Sequence, residues 1–401
     1  MSENNYNYVI VGGGLAGASA IEGIRELDKN GSILLAGSEK HLPYNRPPLS
    51  KKLWFEEGNI EEILVNDKEY YSQNMVKLAL GTRIEGIDIN KKNIVDNAGK
   101  SYGYGKLLLA TGGTPRMLSI PGGSLEGICY YRYLDDFLRM RNEAAKGKSA
   151  VVIGGGFIGS EMAAALNINK VNVTMIFPEP YLCSRVFPGY LGMAVQKRFI
   201  EKGLNILSGD KPASFDRKKE KFIIKTTSGK QVESDILIVG IGIMPNIQIA
   251  AEAELQTDNG VIVNEYLQTS NFDIYGAGDI AFSSYPSLGR QMRVEHWDNA
   301  LNQGKLAGRN MAGANEPLNY MPYFFSDLFE FGYEAVGEIS AELETFADWQ
   351  KENDTGVIYY MKYGRIRGIM LCNVSEKTDE ARKLILKNDK VKPENLRGAI
   401  R

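Results

Sequence analysis

A chain of 401 residues that is 43% apolar and 24% charged has enough material for two or three cored domains, and its net charge of −2 argues against a nucleic-acid or membrane-surface binder. Residues 1–5 are polar and the longest apolar run, Ile236–Met244, is too short to span a bilayer, so a cytoplasmic protein without a secretory signal is expected. Cys129, Cys183 and Cys372 lie far apart without a CxxC spacing, and His41 and His296 complete the histidines, so neither a dithiol relay nor a metal site is expected.

Residues 6–11 read as a short strand that runs into Gly12, Gly13 and Gly14, then into an Ala-rich helix carrying Gly17 and ending near Asn30-Gly31. A second strand, 32–36, finishes near Glu39. This is the βαβ pattern of dinucleotide binding. Gly12 allows the tight turn, Gly14 lets backbone approach a pyrophosphate, and Gly17 permits close helix–strand packing. The helix start offers free N–H groups to phosphate, and Glu39 is placed to accept hydrogen bonds from a ribose.

In the loop 42–51, Pro47-Pro48 stiffens the backbone beside Arg46 and Lys51, and a helix start is predicted at Ser50. Residues 60–104 alternate helix and short strands, with turns at 88–92 and 97–100. The run 106–115 is a buried strand that stops in the small residues Thr111, Gly112 and Gly113, an ending that brings backbone close to a ligand.

At Ser149 the opening pattern returns. A strand leads to Gly154, Gly156 and Gly159, a helix runs to about Asn169, and the strand 171–177 ends at Glu179. Two fingerprints, each followed by an acid roughly 20 residues on, point to two dinucleotides. Residues 204–235 suggest a β-meander turning at 216–220 and 228–230, and the strand 235–240 is broken at Gly242. The strand 272–279 ends in Gly276, Gly278 and Asp279, and a helix is predicted from about Glu295-His296-Trp297 to Asn310. Beyond Pro317, aromatic-rich and alternating segments suggest a smaller β-containing third domain closed by a charged helix from about Glu376.

This ordered set of motifs resembles the FAD-dependent, NADH-oxidising pyridine-nucleotide oxidoreductases that include ferredoxin, rubredoxin and putidaredoxin reductases. The carriers are residues 12–17, 43–51, 110–116, 154–161, 276–279 and 293–297. Residues 325–328, 332–337 and 356–360 make the chain most similar to the apoptosis-inducing-factor branch. The resemblance implies an α/β fold with two Rossmann-like dinucleotide-binding domains, for FAD and NAD, plus a smaller α+β C-terminal domain. It divides the chain into a discontinuous FAD domain (1–120 and 246–322), an NAD(H) domain (121–245) and a C-terminal domain (323–401).

The resemblance also implies site residues. For FAD these are Gly12, Gly14, Ala16 and Gly17 in the loop and Glu39 on the adenosine ribose. Arg46, Lys51 and Arg132 fall around the flavin and pyrophosphate and Asp279 on the ribityl chain, with Thr111, Gly112 and Gly278 also at FAD. Glu295, His296 and Trp297 fall at the ring, joined by Phe325. For NAD(H) they are Gly154, Gly156, Phe157, Ile158, Gly159, Glu161, Glu179, Arg185 and Gly242. Two features of the relatives are missing: the long insertions of apoptosis-inducing factors and the flavin-side cysteine pair of disulfide reductases. Their DNA-binding and dithiol roles are therefore not expected.

Lys51, Glu161 and His296 are the expected catalytic residues. In the family the first two positions meet beside flavin N5, where an ammonium stabilises the charge that develops on reduction. A charge pair about 4 Å apart at an effective dielectric near 20 is worth roughly 4 kcal/mol. A helix that points its N-terminus at the pyrimidine edge does the same for N1. Glu179 repels a 2′-phosphate, so NADH is expected over NADPH, with Arg185 a softening influence.

Electrons are expected to leave the flavin for an iron–sulfur or rubredoxin-type carrier, a quinone or O2. Residues 377–401 hold eight Lys/Arg against four Asp/Glu, a surplus that suits an acidic carrier as well as a plain solvated face. The competing expectation is an NADH sensor whose reduction controls dimerisation or partner binding; a homodimer is compatible with either.

Overall fold

The computed structural model describes residues 4–55 and 58–400, which form two compact units. The first comprises Met1–Asn45, Asn59–Thr114 and Met244–Pro322; the second comprises Arg46–Gly58, Pro115–Ile243 and Tyr323–Arg401. No described helix is long and apolar enough to cross a membrane.

The first unit is built on a sheet in the order Val76–Leu80, Ile33–Gly37, Asn5–Val11, Ser101–Leu109, Asn93–Asp96, Ile84–Asp88. Tyr8 lies opposite both Ile33 and Lys106 in parallel register, and Ile274–Gly276 adds parallel to Leu107–Leu109. Val9, Ile10, Leu34, Leu35 and Leu107–Leu109 are all inaccessible to solvent, as the central strands of a parallel sheet must be.

The helix Leu15–Leu27 packs on the helix Trp297–Met311 through small residues. A Cβ on Gly304 would lie 2.3 Å from the Ala16 carbonyl oxygen, and one on Gly308 would lie 2.0 Å from that of Ala20. The first helix stops at Leu27, short of the expected Asn30-Gly31. Asp28 turns extended there, and its carboxylate accepts from the N–H groups of Asn30 (2.9 Å) and Gly31 (2.8 Å), so the chain leaves the helix early.

The second unit holds a parallel sheet in the order Asn205–Ser208, Asn172–Phe177, Ser149–Ile153, Ile236–Val239, Cys129–Tyr130. The antiparallel meander Pro212–Lys218, Lys221–Thr226, Gln231–Ser234 packs Phe215, Phe222 and Ile224 against Val151, Ile153, Leu237 and Val239. Asn205–Ser208 corrects the sequence reading. It belongs to the parallel sheet rather than to the meander, pairing Thr174 with Asn205 and packing Leu207 against the same core.

A helix start at Ser50 also needs revision. The two prolines wind Pro47–Ser50 into a 3-10 turn, and the α-helical turn Lys52–Phe55 follows. The Leu49 carbonyl fixes this corner by accepting from Trp54 Nε1 at 2.7 Å and from the Tyr131 hydroxyl.

Residues 323–372 form a separate antiparallel sheet in the order Tyr323–Leu328, Phe331–Gly337, Arg365–Cys372, Thr355–Lys362, Glu344–Lys351. The helix Thr378–Lys387 covers one face with Ala381 and Ile385.

Candidate cofactor sites and a buried charge pair

In the first unit, Asn5–Val11 delivers the chain into Gly12 with φ +130°, where a Cβ would lie 2.0 Å from the Ala110 carbonyl oxygen. Gly17 is equally confined, its Cβ falling 2.1 Å from the Gly12 oxygen. Gly14, the residue that caps the helix, is the opposite case: nothing lies within 4 Å of its Cβ position, and no side chain caps the helix. An uncapped helix start with open space before it is the anion cradle a dinucleotide needs.

The second unit repeats this construction. Gly154 has φ +115° and its Cβ would lie 2.3 Å from the Gly240 oxygen; Gly159 meets the Gly154 oxygen at 2.1 Å; Gly156 again has nothing within 4 Å and no side-chain cap. In each unit two glycines are demanded by the protein's own backbone. The third is demanded by no described residue, and at a helix start that leaves room for a dinucleotide's phosphates.

Further residues shape each cradle. In the first, Glu39 accepts from the Tyr44 hydroxyl at 2.5 Å, and Asn246 ties down the turn after Ser101–Leu109 by donating to the Thr111 carbonyl (2.9 Å) and to that of Gly112 (2.9 Å). Gly112 and Gly278 both sit at positive φ, and Gly278 packs on Ala16. In the second, Glu179 ends the strand Asn172–Phe177 region with the mostly exposed Arg185 guanidinium 3.9 Å away. Phe157 stacks at a tilt on Phe324 (5.4 Å) while Ile158 is exposed, and the Gly242 carbonyl accepts from the Arg116 N–H at 2.9 Å.

Also in the second unit, the Glu161 carboxylate is buried on the glycine-loop helix and takes three donors. Lys51 Nζ and Ser326 Oγ (2.5 Å) donate to Oε1, and Ser50 Oγ (2.5 Å) donates to Oε2. Lys51 lies over the Phe325 ring at 5.6 Å, and its side chain is only 12% exposed. A buried pair survives when its spare lone pairs are filled, and the two serines do that here. Arg46 donates to the Arg132 carbonyl at 3.0 Å and lies over the Tyr133 ring.

A family model described as pyridine nucleotide-disulphide oxidoreductase matches residues 6–304. The chain belongs to that family. Apoptosis-inducing factor 1, mitochondrial, of Dictyostelium discoideum is 35% identical over 95% of this chain and 78% of its own length. A rubredoxin–NAD(+) reductase of Pseudomonas putida is 33% identical over 82% and 86%. In three dimensions, a ferredoxin reductase from Rhodopseudomonas palustris matches with a TM-score of 0.90 and 29% identity, over 97% of this chain and 96% of that one.

As a member of the pyridine nucleotide-disulphide oxidoreductase family, the protein is an oxidoreductase that uses FAD and NAD(H). The two cradles fit two such dinucleotides. The disulphide in the family's description has no counterpart among the cysteines: all three are free and buried in the core. Burial pushes the Cys129 and Cys183 thiols up to about 12, so both stay protonated and unreactive at neutral pH.

The candidate residues divide between the units. Glu39, Thr111, Gly112, Gly278, Asp279, Glu295, His296 and Trp297 accompany the first glycine loop; Arg46, Lys51, Arg132 and Phe325 belong with the second. Trp297 Nε1 donates to Asn45 Oδ1 at 2.7 Å, and Glu295 is held by Arg293 at 2.6 Å. Ser50, Ser326, Tyr44 and Asn246 escaped the sequence reading. The two serines stand inside motifs already singled out, but no spacing announces that side chains 111 and 165 positions from Glu161 converge on it.

Burial pushes the His296 imidazole down to about 4, against the pull of the Asp279 carboxylate, so it is neutral at pH 7. The unfolded chain takes up a proton near the ordinary value of 6.5 that the folded chain refuses until about 4. Stability from this residue is therefore complete above pH 6.5 and lost on acidification toward 4, a loss on the order of 3 kcal/mol. We expect His296→Asn to flatten the fall in Tm between pH 7 and 5. An equally steep fall in the variant would assign the acid sensitivity to other groups.

Proposed function

We propose that the cradle at Gly12–Gly17 holds FAD, that the cradle at Gly154–Gly159 takes NADH, and that the electrons pass to a small one-electron carrier of the iron–sulfur or rubredoxin class. In domain terms, 1–120 with 246–322 serve FAD, 121–245 serve NAD(H), and 323–401 support the site through Phe325 and Ser326. The observation that carries this reading is the repeated cradle, in which, of the loop glycines, only Gly14 and Gly156 have no described atom within 4 Å of a Cβ.

When bound, FAD supplies a ring that accepts hydride from a nicotinamide and releases electrons singly. The protein supplies position and charge. Lys51, paired with a Glu161 carboxylate that Ser50 and Ser326 also hold, is the cation for the charge that reduction creates. The start of the helix Trp297–Met311 adds its partial positive charge, and the His296 beside it is neutral at pH 7. With no thiol pair to relay through, an acceptor must take electrons from the flavin itself. The names of the rubredoxin and ferredoxin reductases among its relatives support a protein carrier, and the basic surplus of residues 377–401 suits an acidic one.

Anaerobic reduction with NADH followed by an acceptor screen tests the reading. Fast reoxidation by one carrier class supports it. Slow turnover with every acceptor, together with an NADH-dependent change of oligomeric state, favours the sensor instead. Coenzyme choice gives a second check: Glu179→Ala removes the charge opposed to a 2′-phosphate, and the NADH-over-NADPH ratio in kcat/KM is expected to fall about tenfold or more. An unchanged ratio would move the selectivity elsewhere.

A further inference from the structure

Beneath the first cradle runs a chain of hydrogen-bonded side chains that starts from the Gly278 N–H. The Gly278 N–H donates to Gln303 Oε1 (2.9 Å), and Gln303 Nε2 donates to Ser283 Oγ (3.0 Å) and to the Tyr285 hydroxyl (3.1 Å). Tyr285 in turn donates to Asn299 Oδ1 (2.7 Å), and Asn299 Nδ2 donates to the Val294 carbonyl (3.0 Å). Gln303, Ser283, Tyr285 and Asn299 are each no more than 1% exposed.

The direction of the chain is forced from both ends. A backbone N–H can only donate, so Gln303 must face Gly278 with its oxygen and Tyr285 with its NH2. A backbone carbonyl can only accept, so Asn299 must face Val294 with its NH2 and Tyr285 with its oxygen. Tyr285 is then left with one consistent role, receiving from Gln303 and giving to Asn299. No amide can flip without leaving two buried groups unpaired.

The ends of the chain are informative. Gly278 immediately precedes Asp279, and Val294 immediately precedes Glu295, His296 and Trp297. We infer that Gln303, Tyr285 and Asn299 are positioning residues that lock the Asp279 turn and the Glu295–Trp297 turn into one rigid frame for the flavin. The inference rests on the proposed placement of FAD in the first cradle.

The test uses Tyr285→Phe and Gln303→Glu in the purified holoprotein. Tyr285→Phe cuts the chain at Asn299. Gln303→Glu still accepts from Gly278 but, having no NH2, draws the Tyr285 proton toward itself and away from Asn299. Each is expected to weaken FAD binding about tenfold and to move the visible flavin spectrum and midpoint potential in the same direction. Combined, they should do no more than either alone, because both cut the same link.

Wild-type FAD affinity, spectrum and potential in Tyr285→Phe, with only Tm lowered, would overturn the inference; so would additive effects in the double variant. Should Gln303→Glu fail to fold, Tyr285→Phe decides alone. A Gly14→Val variant that retains FAD with wild-type affinity would instead sink the placement of FAD on which the inference rests.

Discussion

Lys51→Ala is expected to retain its FAD and to be reduced by NADH roughly 100-fold more slowly than the wild type, the effect of a lost electrostatic donor in a water-poor site. Lys51 makes its close contacts to Glu161 and the Phe325 ring, so truncation removes a charge without touching either glycine loop. The Glu161 carboxylate left behind keeps two hydroxyl donors but loses its cation, and an uncompensated buried charge destabilises by about 3–5 kcal/mol. Glu161→Gln in the Lys51→Ala background is expected to relieve that penalty and restore Tm while leaving reduction slow. Stopped-flow reduction of the single variant at the wild-type rate would remove Lys51 from catalysis.

The glycines separate by role with comparably large effects. Gly12→Ala and Gly154→Ala force a side chain onto positive φ and into a carbonyl 2.0 or 2.3 Å away, so both are expected to unfold or to express poorly. Gly14→Val and Gly156→Val extend into space the protein leaves empty, at extended backbone that any residue adopts, so the fold survives. The ligand does not. Gly156→Val should raise the KM for NADH at least tenfold with FAD still bound, whereas Gly14→Val should be purified largely without FAD. Circular dichroism separates the two classes, and a Gly156→Val enzyme with wild-type KM would show that no dinucleotide approaches that residue.

Much of this was legible in the residues because the fingerprint is a short-range code. Strand, glycine spacing and acid all lie within about 35 positions, and the turn chemistry that defines Gly12 or Gly154 is nearly local. The meander turns and the helix start at Trp297 were readable for the same reason. What the sequence concealed is long-range. Asn205–Ser208 looks like one more strand of a meander until its parallel partner is known, and Asp28 ends a helix through two backbone contacts that propensity does not weigh. Ser326 and Ser50 converge on Glu161 from opposite ends of the chain, and the Gln303 chain joins residues whose individual types announce only ordinary buried polar groups.

The wall behind each glycine loop has a bearing on synthesis. Gly12 leans on Ala110, and the small-residue face of the first helix is covered by a helix that begins at Trp297. A ribosome therefore finishes the fingerprint almost at once and its cradle only after some three-quarters of the chain has been made, with Ala16, Ala20 and Gly23 uncovered meanwhile. The second loop waits for much less, since its wall at Gly240 is already present once that unit's parallel sheet has emerged. The nascent chain can thus close its second glycine loop before its first, although the first is translated earlier. On the proposed placement, flavin uptake waits for that closure, while Tyr323–Arg401 of the second unit is made later still.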